Sequence, residues 1–194
     1  MDIIDCCNDV NYNQFGGLDE IGYKVIQYLM LNNEDIWKLL KYPTPDALLK
    51  DNLSMREKAA LIYDGADDTS DYRVFRSAYM DDIFNDRCSQ LRVYITSINP
   101  DNHIYSTVDI GIELVVHNKI INLVGYKNRL EVMLKECLKT LNGAYVGGIG
   151  KLMFDRNMSF YDLVKLNLYN NRNFYGYTLI MSTKLGTVDT CDTE

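Results

Sequence analysis

Thr107-Val108-Asp109-Ile110-Gly111-Ile112-Glu113-Leu114-Val115-Val116-His117 decides how the rest of the chain is read. Val108, Ile110, Ile112, Leu114 and Val116 recur at every second position, the period of a strand with one face in a core. Thr107, Asp109, Gly111, Glu113, Val115 and His117 fall on the other face, which is expected to meet water or a partner; only Val115 breaks its polarity. Upstream, Leu91-Arg92-Val93-Tyr94-Ile95-Thr96 alternates in the same way. Asn99-Pro100-Asp101-Asn102 between the two has turn chemistry, because Pro fixes φ while Asn and Asp bond their own backbone. An antiparallel hairpin is predicted.

Downstream, Tyr126, Leu130, Met133, Leu134, Cys137, Leu138 and Leu141 recur at three- and four-residue steps, with Lys127, Arg129, Glu131, Lys135, Glu136 and Lys139 on the remaining face. This predicts an amphipathic helix across the apolar face of the hairpin, stopped by Asn142-Gly143. Ala144 to Phe154 is broken by Gly147, Gly148 and Gly150 and is expected to enter a third strand, the glycines marking a bulge or a close backbone approach. Residues 159–168 read as either a short helix or an irregular excursion. Phe174 to Thr183, aromatic and β-branched, is the last strand.

Working toward the N-terminus, residues 64–86 hold seven Asp against Arg73 and Arg76, with apolar residues that return the segment to the core as a short strand or docked loop. Ser54-Met55-Arg56-Glu57 has the form of a capping box, in which each side chain satisfies a backbone N–H at a helix start. Asn33 is a good N-cap for a helix through Leu40 that Pro43 and Pro45 end, and the 45–49 segment suits one further turn. Ile21, Val25, Tyr28 and Leu29 share a face of a helix near 19–31. The expected architecture is α+β: an antiparallel sheet of about four strands with an amphipathic helix on one face, preceded by helices. Its divisions are an arm at 1–18, a helical region at 19–66, an acidic linking segment at 67–86, a core at 87–185 and a tail at 186–194.

With 194 residues, 47% of them hydrophobic, the chain can bury a sizeable core alone. Five cysteines, without a CxxC or Cys/His ligand spacing, suit neither a disulfide framework nor a zinc site and point to a reducing compartment. No apolar run approaches membrane-spanning length, and Met1-Asp2-Ile3-Ile4-Asp5 does not read as a signal peptide, so a soluble protein is expected. A net charge of −7 disfavours a primary nucleic-acid binder, since phosphate affinity comes from clustered Lys and Arg. The charge is uneven: residues 1–86 carry 8 basic and 17 acidic groups, and residues 87–186 carry 12 and 7. That asymmetry suits head-to-tail association of copies, or simply a solvated surface.

Candidate sites fail one by one. His103 and His117 lack a partner at metal or triad spacing, and the acidic run at Asp64, Asp67, Asp68 and Asp71 lacks the EF-hand order. Gly147-Gly148-Ile149-Gly150-Lys151 lacks the Walker spacing and the Ser or Thr after Lys. Asp109 and Glu113 lie about 13 Å apart along their strand, too far for a cooperating pair. No catalytic residue, cofactor or metal ligand is expected. Asp109, Glu113, His117, Arg92 and Tyr94 are instead candidates for a subunit interface or the lumen of an assembly. Fifteen tyrosines favour protein interfaces.

Leu91 to Ile95, Val108 to Asn118, the helix from Arg129 to Leu141, and Gly147 to Leu152, in this order, resemble phage head-to-tail connector proteins of the tail-terminator or tail-completion type. Trp37 to Leu48 is similar to the front end of related phage neck proteins. The resemblance implies a structural virion protein with no enzymatic activity. It would form a ring of six or twelve copies that joins portal or adaptor to tail and lets double-stranded DNA pass without sequence-specific binding. Assembly would take place in the bacterial host cytoplasm, without a membrane partner. The long helical N-terminal region departs from a minimal terminator. Rival readings are a small phage hydrolase, for which Asp109, Glu113 and His117 would have to converge, and a monomeric regulatory binding module.

Overall fold

The computed structural model describes residues 17–65, 71–78, 87–102, 105–154 and 173–186, together with the backbone of 164–166. The predicted arm before Gly17, the tail from residue 187 and His103 lie outside the described residues. The helices are α1 (Ile21–Asn32), α2 (Asp35–Lys41), α3 (Met55–Ala59) and α4 (Arg129–Leu141). The strands are β1 (Val74–Phe75), β2 (Ser89–Pro100), β3 (Ser106–His117), β4 (Asn122–Leu123), β5 (Lys127–Asn128), β6 (Tyr145–Val146), β7 (Gly150–Lys151), β8 (Met153–Phe154), β9 (Val164–Leu166) and β10 (Phe174–Leu185).

The α+β class is as expected, with six strands in the main sheet. Three twelve-residue strands form its body in the order β2-β3-β10, all antiparallel, and β3 is matched over its whole length from Phe174↔His117 to Leu185↔Ser106. The additions are short. β8 and β9 pair with β10, and β1 pairs with β2 in parallel through Val74↔Leu91 and Phe75↔Arg92. The acidic linking segment therefore does return as a strand, and part of the ambiguous 159–168 region is β9.

β2 contains a bulge: Ile95 faces Ile110, but Ser97 already faces Asp109, so Thr96 is the extra residue. Its effect is to put Ile98 opposite Val108, on the core side with Leu91, Val93 and Ile95. Without it the end of the strand would turn its apolar residue outward.

Val108, Ile110, Ile112, Leu114 and Val116 of β3 are buried in one cluster with Ile21, Val25, Ile26 and Leu29 of α1, Ile36, Trp37, Leu39 and Leu40 of α2, and Leu130, Met133, Cys137 and Leu141 of α4. α4 lies against β3 and β10, and α1 against β2. Leu134 and Leu138 are only partly buried at the margin of this core. Tyr126 departs from the expected helical stripe. It sits between β4 and β5 with a φ of 60° and its side chain in solvent, because Asn128 starts the helix two residues later by accepting from Leu130 N–H and Glu131 N–H. The glycine run forms the β6–β7 hairpin rather than a bulge. The expected close approach is real at Gly150, where a Cβ would lie 3.3 Å from the Lys184 carbonyl oxygen.

Local signals hold at the helix starts. Ser54 and Glu57 form the capping box of α3, although that helix ends at Ala59. The Asn33 Oδ1 accepts from Ile36 N–H at 2.9 Å, and its amide donates to Glu136 and Thr140 of α4.

Arg129 corrects a sequence expectation: it is fully buried, not on the polar face of α4. Nε donates to Ile120 O at 2.9 Å, Nη1 to Leu39 O and Tyr42 O at 2.8 Å each, and Nη2 to Thr44 O at 2.7 Å. The carbonyls of Leu39, Tyr42 and Thr44 belong to the end of α2 and the loop after it, where a helix presents partial negative charge. Burial pushes the Arg129 pKa down to about 10, so the cation persists at neutral pH. Arg129→Met should leave four inward carbonyls without their donor, each costing about 1–3 kcal/mol. Urea unfolding is expected to show a loss of at least about 3 kcal/mol, against about 5–15 kcal/mol for a whole domain; a loss under about 1 kcal/mol would refute this role.

Candidate functional site: the buried polar face of the sheet

The face of β3 opposite the helices carries the five residues singled out from sequence. It is not open to water: Arg92, Asp109, Glu113 and His117 are 0, 8, 4 and 6% exposed, and Tyr94 is half-buried. The expectation of a solvated face is corrected by the bonds these side chains make within the chain.

Arg92, Tyr94 and Glu113 come together. Arg92 lies opposite Glu113 in the β2–β3 register, and its Nη1 is 3.1 Å from Oε1 of that carboxylate. The same guanidinium donates to Ala78 O at 3.1 Å and to Gln90 Oε1 at 3.0 Å. The Gln90 amide in turn donates to the Cys88 thiol sulfur at 3.6 Å. Tyr94 crosses Gly111 to donate its hydroxyl to Glu113 Oε2 at 3.3 Å. Gly111 is what allows that crossing, since a Cβ there would lie 2.8 Å from Thr96 Cγ2 and 3.0 Å from the Tyr94 ring. Burial raises the Glu113 pKa, against the opposing pull of Arg92 and of the Tyr94 hydroxyl. Burial and the Glu113 charge raise that of Tyr94.

Asp109 and His117 stand apart from this group. Asp109 accepts from Ser97 Oγ at 2.5 Å and from Ser182 Oγ at 2.6 Å, bridging the strands on either side of it. His117 is at the far end of β3, edge-on to the Phe174 ring with 4.9 Å between centroids, and its Nδ1 accepts from Lys119 N–H. Desolvation lowers the His117 pKa, helped by Lys119 and Arg87. Val115, Cys88 and Phe174 form a small apolar cluster at this end. Both carboxylates and the imidazole therefore spend acceptor atoms on the chain itself. The described residues contain no group of three or more His, Cys, Asp or Glu able to hold a metal ion, and no helix among them is long and apolar enough to cross a membrane.

Sequence reading missed Ser97, Ser182 and Gln90 as partners. The Ser97 placement hinges on the bulge, which left one faint signal: the spacing of three between Ile95 and Ile98 in a strand that otherwise alternates; Gln90 shares the face of Arg92 by alternation alone.

Two outcomes are expected. Arg92→Met and Glu113→Leu should each destabilise the fold by about 3–5 kcal/mol by stranding a buried charge, whereas the double substitution should cost far less than their sum; thermal melting of the four proteins checks this, and additive losses would refute a coupled pair. His117 titrates lower folded than unfolded, so the stability of its neutral burial is complete above the unfolded pKa of 6.5 and is lost as pH falls through the folded value. The melting difference between wild type and His117→Gln should shrink over that acid window; a pH-independent difference would contradict it.

A family model described as YomW matches residues 33–183, most of the chain. Comparison with curated proteins returned no match.

Proposed function

The chain belongs to the YomW family, a Bacillus phage-derived name, and on that premise we propose a structural role in the phage particle. Copies of the chain form a ring of six or twelve in the neck, between the portal or adaptor complex and the tail, and DNA passes through the centre. The observation that carries this reading is the outer edge of β2: among the described residues no strand pairs with it beyond Arg92, and past Val93, whose carbonyl lies against Gly22 of α1, Thr96 and Ile98 to Pro100 are exposed. An edge of that kind is a template for a strand from a neighbour.

The polar face supports a structural rather than a catalytic role. Glu113, Asp109 and His117 stand in separate internal bonds and do not converge. The burial of the paired Arg92 and Glu113 speaks against these two residues as a channel lining. The net charge of −7 suits a ring through which DNA must move without adhering.

Light scattering and negative-stain imaging of the purified chain test the reading. A closed ring is expected, and the protein should co-purify with intact virions. A strict monomer absent from virions would sink it.

A further inference from the structure

Among the described residues the most exposed large hydrophobic side chain is Tyr126, in the turn between β4 and β5. Its φ of 60° follows the 82° of Gly125, so two successive residues of the turn are left-handed. Such turns favour Gly, Asn or Asp, and a bulky side chain in one is strained. Val124 beside them is exposed as well. The tip projects away from its own chain, since a Cβ on Gly125 would meet nothing within 4 Å. Its base is fixed by the pairs Asn122↔Asn128 and Leu123↔Lys127, by the burial of Leu123, and by Val124 N–H donating to Pro45 O at 2.9 Å. An apolar knob on a rigid base, kept at a conformational cost, suits a contact that the isolated subunit does not contain.

An open groove of about 630 Å³ lies at the opposite end of the subunit, lined by Thr107, Met153, Phe154 and Thr183 and flanked by Lys151 and Lys184. α4 separates the two features. Asn128, its N-cap, pairs within the hairpin, and Asn142, its C-cap, lines the groove, thirteen residues and about 20 Å further on. β3 spans the same distance: His117 leads through Asn118–Ile120 into β4, while Thr107 lies at the groove. Knob and groove are therefore different surfaces, as a head-to-tail contact requires, whereas one surface pairing with itself closes into a dimer.

The chemistry of the groove selects its occupant. Met153 and Phe154 offer the sulfur and ring contacts that an aromatic side chain favours, and the ammonium groups of Lys151 and Lys184 suit the negative face of a ring. Lys151 already lies over one, 5.8 Å from the centroid of Tyr145. The hydroxyls of Thr107 and Ser182 and the amide of Asn142 supply partners for a phenol. Asp101 accepts from Thr107 Oγ1 at 2.9 Å and stands 3.7 Å from Lys184, which places a carboxylate within the groove's surroundings for Lys127, the residue after Tyr126.

We propose that the Val124-Gly125-Tyr126 tip of one copy docks in this groove of a second copy, an inference that rests on the ring reading and adds a head-to-tail contact to the β2 edge. The Tyr126 ring enters between Lys151 and Lys184 and packs on Met153. Each subunit gives a tip at one end and receives one at the other.

The test uses the full chain. Tyr126→Asn puts into the turn a residue that tolerates its left-handed backbone. It should melt no lower than wild type when both are diluted to monomers, while assembly followed by light scattering should need about tenfold or more protein. Met153→Asp, at the groove, should weaken assembly to a similar degree. p-Benzoylphenylalanine in place of Tyr126, in an equal mixture of isotopically light and heavy chains, is expected to cross-link light to heavy chains at Met153 or Phe154. Cross-links to another part of the neighbour, or assembly unchanged by both substitutions, would overturn the contact while leaving the ring intact. A monomeric wild type would fail the ring reading itself, and the contact with it.

Discussion

The placement of the helices depends on one buried cation. Arg129 opens α4 but serves α2, donating to the carbonyls of Leu39, Tyr42 and Thr44 at the end of that helix. At the other end of α2, Asn33 caps the first turn and donates to Glu136 and Thr140, late in α4. The two clamps fix the helices antiparallel. Burying a guanidinium is tolerable only when its donors are satisfied, and here every nitrogen has a backbone acceptor. With the pair so fixed, Met133, Cys137 and Leu141 meet the apolar side of β3 while Trp37 and Leu40 close the same core. The helices that precede the hairpin are thus part of its core.

The other face of the sheet follows a different rule. Its residues are polar yet buried, which is stable only if each is bonded, and the bonds depend on the register of β2. Counting back from the hairpin tip without the bulge sets Arg92 opposite Leu114; with Thr96 as the extra residue, Arg92 meets Glu113. One residue therefore decides both that Ile98, although exposed, shares the face of Val108 and that a buried cation finds its carboxylate.

This explains what could be read from the chain and what could not. The hairpin, α4, the last strand, the caps at Asn33 and Ser54 and the stop at Gly143 rest on local signals, namely period and side-chain-to-backbone bonding within a few residues. Arg129 was invisible because its acceptors lie 85 to 90 residues away apart from Ile120, and a helical wheel assigns any arginine to the solvent side. Tyr126 followed the apolar period by coincidence, and only the Asn128 cap shows where the helix starts. The polar face was located correctly by alternation, but its burial was not legible, since period two distinguishes the sides of a strand without saying what covers either.

The same physics bears on assembly. Among the described residues β3 has nearly its whole length paired on both sides, β10 is paired along β3 and in part by β8 and β9, and β2 has no strand beside its outer edge beyond Arg92. β1 stops after two residues, and the strand it leaves exposed has a bulge at Thr96 and a proline only at Pro100. A bulge increases local twist and discourages long flat stacking of sheets, while still admitting a short strand on either side of it. An edge of this form suits a limited, specific strand addition better than indefinite polymerisation, and limited addition is what a closed ring of fixed size requires.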